Sequence, residues 1–303
     1  MTLMFLNLDP IADANGRFAI LAMDQRGTLR KMLQAAGRPA EDEDLRQFKI
    51  DVVSALSPHS SGVLLDVEYG VDAVRAADAI AATAGLLISA ERSPGATWNG
   101  EPRTEFDPGR GPAWVRASGG VALKFLVRWR PDRPVPNAGP DLAGEALGAV
   151  AAVITACHLD GMPSVIEPLI VTLPGEPALD PARKRAAVVR SAQLLAELGP
   201  DLLKLEWPGD TDGCREVSEV VDGVPWTLLS AGVEFEAFVD RVGNAMDAGA
   251  SGFIAGRAIW GEAVGLDRSA RREFLATTAS HRLQALSATI AGRGRPWREV
   301  AGR

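Results

Sequence analysis

Short runs of β-branched and other apolar residues alternate along the chain with longer stretches rich in alanine and leucine. Runs at residues 18–23, 62–66, 86–90, 122–127, 164–169, 202–206, 226–230 and 252–255 have the length and composition of strands. Helical stretches lie between and after them, at 43–56, 71–84, 112–118, 142–159, 181–198, 213–221, 234–248 and 269–291. Regular alternation of this kind implies parallel strands joined by helical crossovers. Eight such units predict an α/β fold of the single (β/α)8 TIM-barrel type, one domain over residues 1–303. An open doubly wound sheet would alternate too, but no Gly-x-Gly-x-x-Gly follows a strand. Two segments break the pattern. Residues 91–110, after the third strand, carry Gly, Pro, Trp98 and several charges without periodicity, and both a lid and a solvated excursion fit them. The proline-rich stretch 130–140 reads as a second long connection.

Barrel strands point alternate residues inward, and catalytic groups project from the C-terminal strand ends. Ionisable residues at those ends are therefore informative. In the sixth strand Leu202, Lys204 and Glu206 share one face, while Leu203, Leu205 and Trp207 share the other. With the first face inward, a lysine and a carboxylate stand in the barrel mouth. Burial lowers the pKa of an unpaired lysine, and a neutral amine is what attacks a carbonyl. A Lys204–Glu206 ion pair serving structure alone is the competing explanation. The fourth strand places Lys124 on a face with Ala122 and Leu126; the fifth places Glu167 with Val165, as a candidate proton shuttle. The first two strands end in Asp24-Gln25 and Asp66. Strands seven and eight run instead into Ser230-Ala231-Gly232 and Ala255-Gly256-Arg257. Small residues there let backbone N–H groups approach an anion, a following helix N-terminus adds to the attraction, and Arg257 offers a bidentate donor.

The chain's 303 residues suit one barrel or two smaller domains, and 47% hydrophobic with 23% charged residues argues for a globular protein. With 32 Lys+Arg against 39 Asp+Glu, the net charge of -7 argues against a nucleic-acid partner. Residues 1–9 have no basic n-region and no small-residue cleavage site, and the apolar run 146–157 is shorter than the roughly 20 residues that span a bilayer. Cys157 and Cys214 make no disulfide framework. These features predict a soluble cytoplasmic protein without a membrane partner. His59, His158 and His281 are far apart, no His or Cys pair has ligand spacing, and no Gly-x-Ser-x-Gly elbow is present. No metal or cofactor is expected, although a carboxylate-held Mg2+ stays open.

Six segments, in register over nearly the whole chain, carry a resemblance. They are Ala22-Met23-Asp24-Gln25-Arg26-Gly27, Ala122-Leu123-Lys124-Phe125, Ile166-Glu167-Pro168, Leu202-Leu203-Lys204-Leu205-Glu206, Leu229-Ser230-Ala231-Gly232-Val233 and Ala255-Gly256-Arg257-Ala258-Ile259-Trp260. Together they resemble the class I tagatose 1,6-bisphosphate aldolase family, which includes the sulfofructosephosphate aldolases of sulfoquinovose breakdown. The resemblance implies a (β/α)8 barrel that cleaves a ketose 1-phosphate through a Schiff base to dihydroxyacetone phosphate and a three-carbon aldehyde. It implies that Lys204 forms the imine and that Glu167 is the acid/base glutamate. Lys124 would be the second active-site lysine, and Asp24 with Gln25 the first-strand polar pair. Ser230, Gly232, Gly256 and Arg257 would hold the C1 phosphate, with Asp66 and Glu206 further contacts to substrate.

The branch within that family is mixed. Asp66-Val67-Glu68-Tyr69-Gly70 and Glu273-Phe274-Leu275-Ala276-Thr277-Thr278 are similar to the tagatose branch. Ala55-Leu56-Ser57-Pro58, Arg128-Trp129-Arg130 and Ala250-Ser251-Gly252-Phe253 are similar to the sulfofructose branch. The sole tyrosine is Tyr69, so no C-terminal tyrosine carries protons as in the better-known fructose-bisphosphate enzymes. The rivals are a metal-dependent or isomerase-type sugar-phosphate barrel and a non-catalytic sugar-phosphate binder. Holding a phosphate needs neither Lys204 nor Glu167, which weighs against the binder. The expected partner is the small sugar phosphate, with a homo-oligomer allowed.

Overall fold

Side-chain alternation along β1 (Phe18–Met23) sorts six buried residues onto two faces. Phe18, Ile20 and Ala22 join Leu64, Leu87, Ala122, Val165, Leu202 and Ile254 in a packed barrel interior. Ala19, Leu21 and Met23 belong instead to the larger core between the barrel and its helices. The computed structural model describes residues 5–135 and 138–302. The other strands are β2 (Gly62–Leu65), β3 (Gly85–Ser89), β4 (Ala96–Trp98), β5 (Glu101–Arg103), β6 (Ala122–Trp129), β7 (Ser164–Ile170), β8 (Leu202–Leu205), β9 (Trp226–Leu229) and β10 (Gly252–Ala255). Eight of them close into a barrel in the order β1-β10-β9-β8-β7-β6-β3-β2, every pairing parallel, while β4 and β5 form a separate antiparallel hairpin. The fold is the expected (β/α)8 barrel.

The helices are α1 (Gly27–Ala35), α2 (Asp42–Leu56), α3 (Val71–Ala76), α4 (Pro112–Ala117), α5 (Leu142–Asp160), α6 (Pro181–Ala196), α7 (Thr211–Val220), α8 (Phe235–Asp247), α9 (Arg257–Trp260), α10 (Arg268–Phe274), α11 (Ser280–Ala291) and α12 (Trp297–Val300). A one-turn 3-10 helix, Asp9–Ile11, brings Leu8 and Ile11 into the interior cluster and stoppers the N-terminal end of the barrel. The opposite end is left open.

Several boundaries differ from the sequence pattern for identifiable reasons. The stretch 71–84 is helical only to Ala76, because Asp78 turns left-handed (φ 48°) and the N–H of Ala79 caps Val74. The stretch 269–291 is interrupted by a π-turn at Leu275–Ala279. Helix α5 extends the apolar run 146–157 at both ends, so at 19 residues it is long and apolar enough to cross a membrane by length and composition. Here it packs against β6 and β7, with Ala146, Val150, Val153 and Cys157 in the core. Residues 136 and 137 of the expected connection 130–140, and residues 1–4 of the N-terminal segment, lie outside the described residues.

Candidate active site

The open C-terminal end holds a cavity of about 560 Å3 whose wall includes Gln25, Glu167, Lys204, Ser230, Gly256 and Arg257. Its centre is a chain of charges. Lys204, on the inward face of β8, has Nζ 2.8 Å from Glu167 Oε1. The other oxygen of Glu167, on β7, lies 2.7 Å from Lys124 Nζ on β6. Lys124 also donates to Asp24 Oδ2 at 3.0 Å and to Glu91 Oε1 at 3.1 Å. Five barrel strands, or the loops after them, thus contribute to one buried network. The strand faces are those expected from alternation: Ala122, Val165 and Leu202 line the interior, and Leu123, Ile166 and Leu203 pack outward.

Burial by itself would lower the pKa of Lys124, but Asp24, Glu167 and Glu91 outweigh it and hold the ammonium well above its ordinary value. Burial would raise the pKa of Glu167, yet the charges of Lys124 and Lys204 keep it below the usual carboxylate range. Asp24 is depressed for the same reason, against burial, by Lys124, Lys204 and Lys49. At neutral pH Lys124 is a fixed cation and Glu167 a carboxylate. Glu167 touches Lys204 directly, so a proton can pass between them without a bridging water.

The loop carrying Asp24 and Gln25 is pinned from behind. Lys49 of α2 is wholly buried and donates to the carbonyls of Met23 at 2.6 Å and Gln25 at 2.8 Å. Gln25 is on the cavity wall, and its Oε1 is buried with no hydrogen-bond partner among the described residues. Such an atom is costly to leave unpaired and marks a contact point for a ligand donor.

On the far side, the turn after β9 contains two consecutive left-handed residues, Ala231 (φ 51°) and Gly232 (φ 80°). A non-glycine residue in that region costs roughly 1–2 kcal/mol, so the turn is held by its surroundings. A Cβ at Gly232 would stand 3.3 Å from the Arg257 guanidinium. Gly232 makes room for Arg257 and is itself off the cavity wall, whereas Ser230, Ala231, Gly256 and Arg257 are on it. Gly256 is required by close packing, because a Cβ there would lie 2.3 Å from the carbonyl oxygen of Ala22 on β1. Helix α9 after it has only four residues, so the expected helix-terminus attraction for an anion is small and the guanidinium carries that task.

One expectation is corrected, and one competing explanation falls. Asp66 is fully buried, lies 2.6 Å from Lys49 Nζ and accepts the N–H of Tyr69; it holds the end of β2 in place and does not reach the cavity. Glu206 borders the cavity but does not pair with Lys204. Its two oxygens accept from Lys184 Nζ and the N–H of Ile170, both at 2.7 Å.

Sequence reasoning missed Glu91, Lys49 and Arg128 as members of this end of the barrel. It also missed the hairpin β4–β5 within residues 91–110, which puts Thr97, Gly100 and Pro102 on the cavity wall. The signal for the hairpin was present. Asn99-Gly100 adopts φ values of 49° and 83°, the left-handed pair of a type I′ turn.

The DeoC/LacD family aldolase profile matches residues 18–262. The chain belongs to that family. It is a class I aldolase, a carbon–carbon lyase. It is similar to a tagatose 1,6-diphosphate aldolase of Listeria monocytogenes, at 30% identity over 97% of this chain and 93% of the relative. It is also similar to tagatose 1,6-diphosphate aldolase 2 of Streptococcus mutans, at 27% identity over 96% and 95%. Among solved structures, an archaeal fructose 1,6-bisphosphate aldolase superposes with a TM-score of 0.63 at 18% identity, covering 93% of this chain and 96% of the other. A Schiff-base-forming fructose-1,6-bisphosphate aldolase gives 0.62 at 19% identity, over 92% and 96%. At those identities the structural likeness concerns the fold. Among the described residues of the aldolase, no group of three or more His, Cys, Asp or Glu side chains could hold a metal ion, and the central carboxylates face lysine ammonium groups instead.

Proposed function

We propose that this aldolase cleaves a ketose 1-phosphate through an imine on Lys204, releasing dihydroxyacetone phosphate and a three-carbon aldehyde. The observation that carries the reading is Glu167 suspended between Lys204 and Lys124 at 2.8 and 2.7 Å, on the wall of a cavity that also presents Arg257. The names of its relatives, aldolases of tagatose 1,6-diphosphate, support a phosphorylated ketose.

In this mechanism Lys204 first passes an ammonium proton to Glu167, 2.8 Å away, and attacks the C2 ketone as the neutral amine. A second nitrogen proton moves to the alkoxide to give the carbinolamine, and Glu167 then delivers its proton to that hydroxyl, which leaves as water and leaves Glu167 ionised. The protonated imine then accepts the electron pair of the C3–C4 bond as it breaks. The C4 hydroxyl proton goes to Glu167, which is on the cavity wall, whereas Asp24 sits against Lys124 away from it. The aldehyde departs, the enamine is reprotonated at C3, and water releases dihydroxyacetone phosphate. Lys124, held protonated, keeps Glu167 ionised and fixes its two oxygens in place. Ser230 and Arg257 bind the C1 phosphate, with the turn backbone at Ala231 and Gly256 close beneath it. Gln25 accepts a hydroxyl hydrogen from the sugar.

Borohydride reduction in the presence of dihydroxyacetone phosphate should trap an adduct that peptide mapping places on Lys204. Trapping on Lys124, or none at saturating ligand, would remove Lys204 from this role. Cleavage that EDTA abolishes and a divalent ion restores would point to a metal enzyme instead.

A further inference from the structure

The C1-phosphate cradle proposed above comes from two separate pieces of chain. One is the turn 230–233 after β9, closed by the N–H of Val233 on the Ser230 carbonyl and running directly toward Phe235, the first residue of α8. The other is Gly256 and Arg257 after β10, which continue through α9 into a 3-10 turn, Gly261–Gly265. The sheet joins the two only at their roots, where Ile254 pairs with Leu229. They approach each other at Gly232 and Arg257, but among the described residues no hydrogen bond or ion pair runs between them. The inner side of α9 is fixed, because Trp260 is wholly buried and its Nε1 donates to the Ala22 carbonyl at 3.1 Å.

The outer ends of both pieces meet one side chain, Arg282 of α11. Its guanidinium is 2.7 Å from Glu262 Oε1 in the 3-10 turn and stands over the ring of Phe235, 5.0 Å from the centroid. It also stands over Phe274 of α10, at 5.7 Å. A guanidinium within about 6 Å of an aromatic face is attracted by the ring quadrupole. The side chain is only 16% exposed and is not on the cavity wall, so it does not touch the phosphate. An interruption of the helix builds this cluster. Phe274 and Arg282 are eight residues apart, which at about 3.6 residues per turn would leave them about 80° apart around an unbroken α-helix. The π-turn Leu275–Ala279, where the N–H of Ser280 reaches back five residues to the Leu275 carbonyl, takes up one extra residue. The remaining seven helical steps end about 20° short of two full turns, so Phe274 and Arg282 share a face.

We propose that Arg282 is a positioning residue for phosphate binding: it ties the turn after β9 to the segment after β10 and so sets the spacing of Ser230 and Arg257. This rests on the reading of those two residues as the C1-phosphate ligands and adds the group that holds them from outside the cavity. Two ligands on independent segments bind a phosphate well only when their separation is fixed beforehand. The turn also keeps Ala231 left-handed at φ 51°, a conformation that persists only where the surroundings over-determine it. Phe235 stands three residues beyond Gly232, and Glu262 five residues beyond Arg257. A shift at either contact therefore reaches the phosphate ligands through a short stretch of backbone.

The test reads the ketone concentration that half-saturates inactivation by borohydride, for dihydroxyacetone phosphate and for dihydroxyacetone, which lacks the phosphate. Arg282→Met keeps a long apolar side chain against the rings and removes the cation. It should raise the half-saturating concentration of dihydroxyacetone phosphate about 10-fold and leave that of dihydroxyacetone unchanged, so the ratio of the two rises. KM for the ketose 1-phosphate should rise with it while kcat stays nearly constant. Arg282→Lys should restore part of the difference. Glu262→Gln, at the exposed partner, should move the ratio the same way by about 2- to 5-fold. An unchanged ratio in Arg282→Met, or in Glu262→Gln where the first variant does not fold, overturns the proposal, as does an equal loss with both ketones. Arg257→Ala separates this outcome from the phosphate reading itself, since it should raise the ratio about 10- to 150-fold. If Arg257→Ala moves the ratio and Arg282→Met does not, the Arg282 assignment alone falls. If Arg257→Ala leaves it unchanged, or the wild type is not trapped, the phosphate site or the imine is misassigned and this proposal falls with it.

Discussion

Glu167 is a carboxylate kept ionised in a buried place by two ammonium neighbours. A glutamine there keeps the size and some hydrogen bonds but can neither take up nor deliver a proton at neutral pH. Glu167→Gln should lower kcat about 10²–10⁴-fold, the range for losing one general acid–base group, with KM changed much less. Pre-steady-state measurement of imine formation and aldehyde release would locate the slow step. A variant that turns over within a few-fold of wild type would assign Glu167 a purely structural role. The same residue scale explains why the two thiols are silent. Cys157 and Cys214 are free and buried, and burial pushes both thiols up to about 12.

Helix α2 supplies the support for the loop after β1. Its Lys49 has burial lowering its pKa against the opposing charge of Asp66, and its three hydrogens go to the Met23 and Gln25 carbonyls and to Asp66. Removing one partner of a fully buried pair leaves the other charge stranded, at a cost of about 3–5 kcal/mol. Lys49→Met should therefore destabilise the fold by about that amount in urea denaturation. Lys49→Met with Asp66→Leu should recover part of the loss, since no lone charge remains, but not the carbonyl contacts that hold Asp24 and Gln25. A single variant as stable as wild type would show that the Lys49–Asp66 pair contributes nothing to the fold. The hairpin β4–β5 belongs to this scale as well: it is a short element tied by ion pairs to the segment after β6, which keeps one wall of the cavity standing.

For the whole molecule, the central network links β1, β3, β6, β7 and β8 through buried charges, so its ionisation bears on stability. Asp24 and Glu167 have folded pKa values below their unfolded ones. Their contribution is fully present above the unfolded carboxylate range, about pH 4, and is lost as pH falls through the depressed folded values. Lys124 is raised, so its contribution is present below about pH 10.4 and fades only as pH rises through its folded value. Stability by urea midpoint should thus hold across neutral pH and drop on acidification below about pH 4. Asp24→Asn with Glu167→Gln should be less stable at pH 7 and show a shallower acid slope. An acid slope equal to that of wild type would place the acid-labile groups elsewhere.

Local periodicity was enough to read the architecture and half of the chemistry. Alternation along 122–127, 164–169 and 202–206 put Lys124, Glu167 and Lys204 on inward faces, because the strand period is two whatever the neighbours are. The glycine turns after β9 and β10 were legible for a similar reason, since close approach and left-handed backbone leave few residue choices. What pairs with what was decided only by barrel closure. Lys204 meets Glu167 across neighbouring strands rather than Glu206 on its own strand, and Asp66 meets Lys49 from a helix. Glu91 bonds Lys124 from a segment without periodicity. Arg128 faces Arg257 only because the strand order sets β6 opposite β10. Sequence pattern carries the direction of each side chain relative to its own strand; the distances between side chains on different strands depend on order, register and strand length, which only the closed barrel settles.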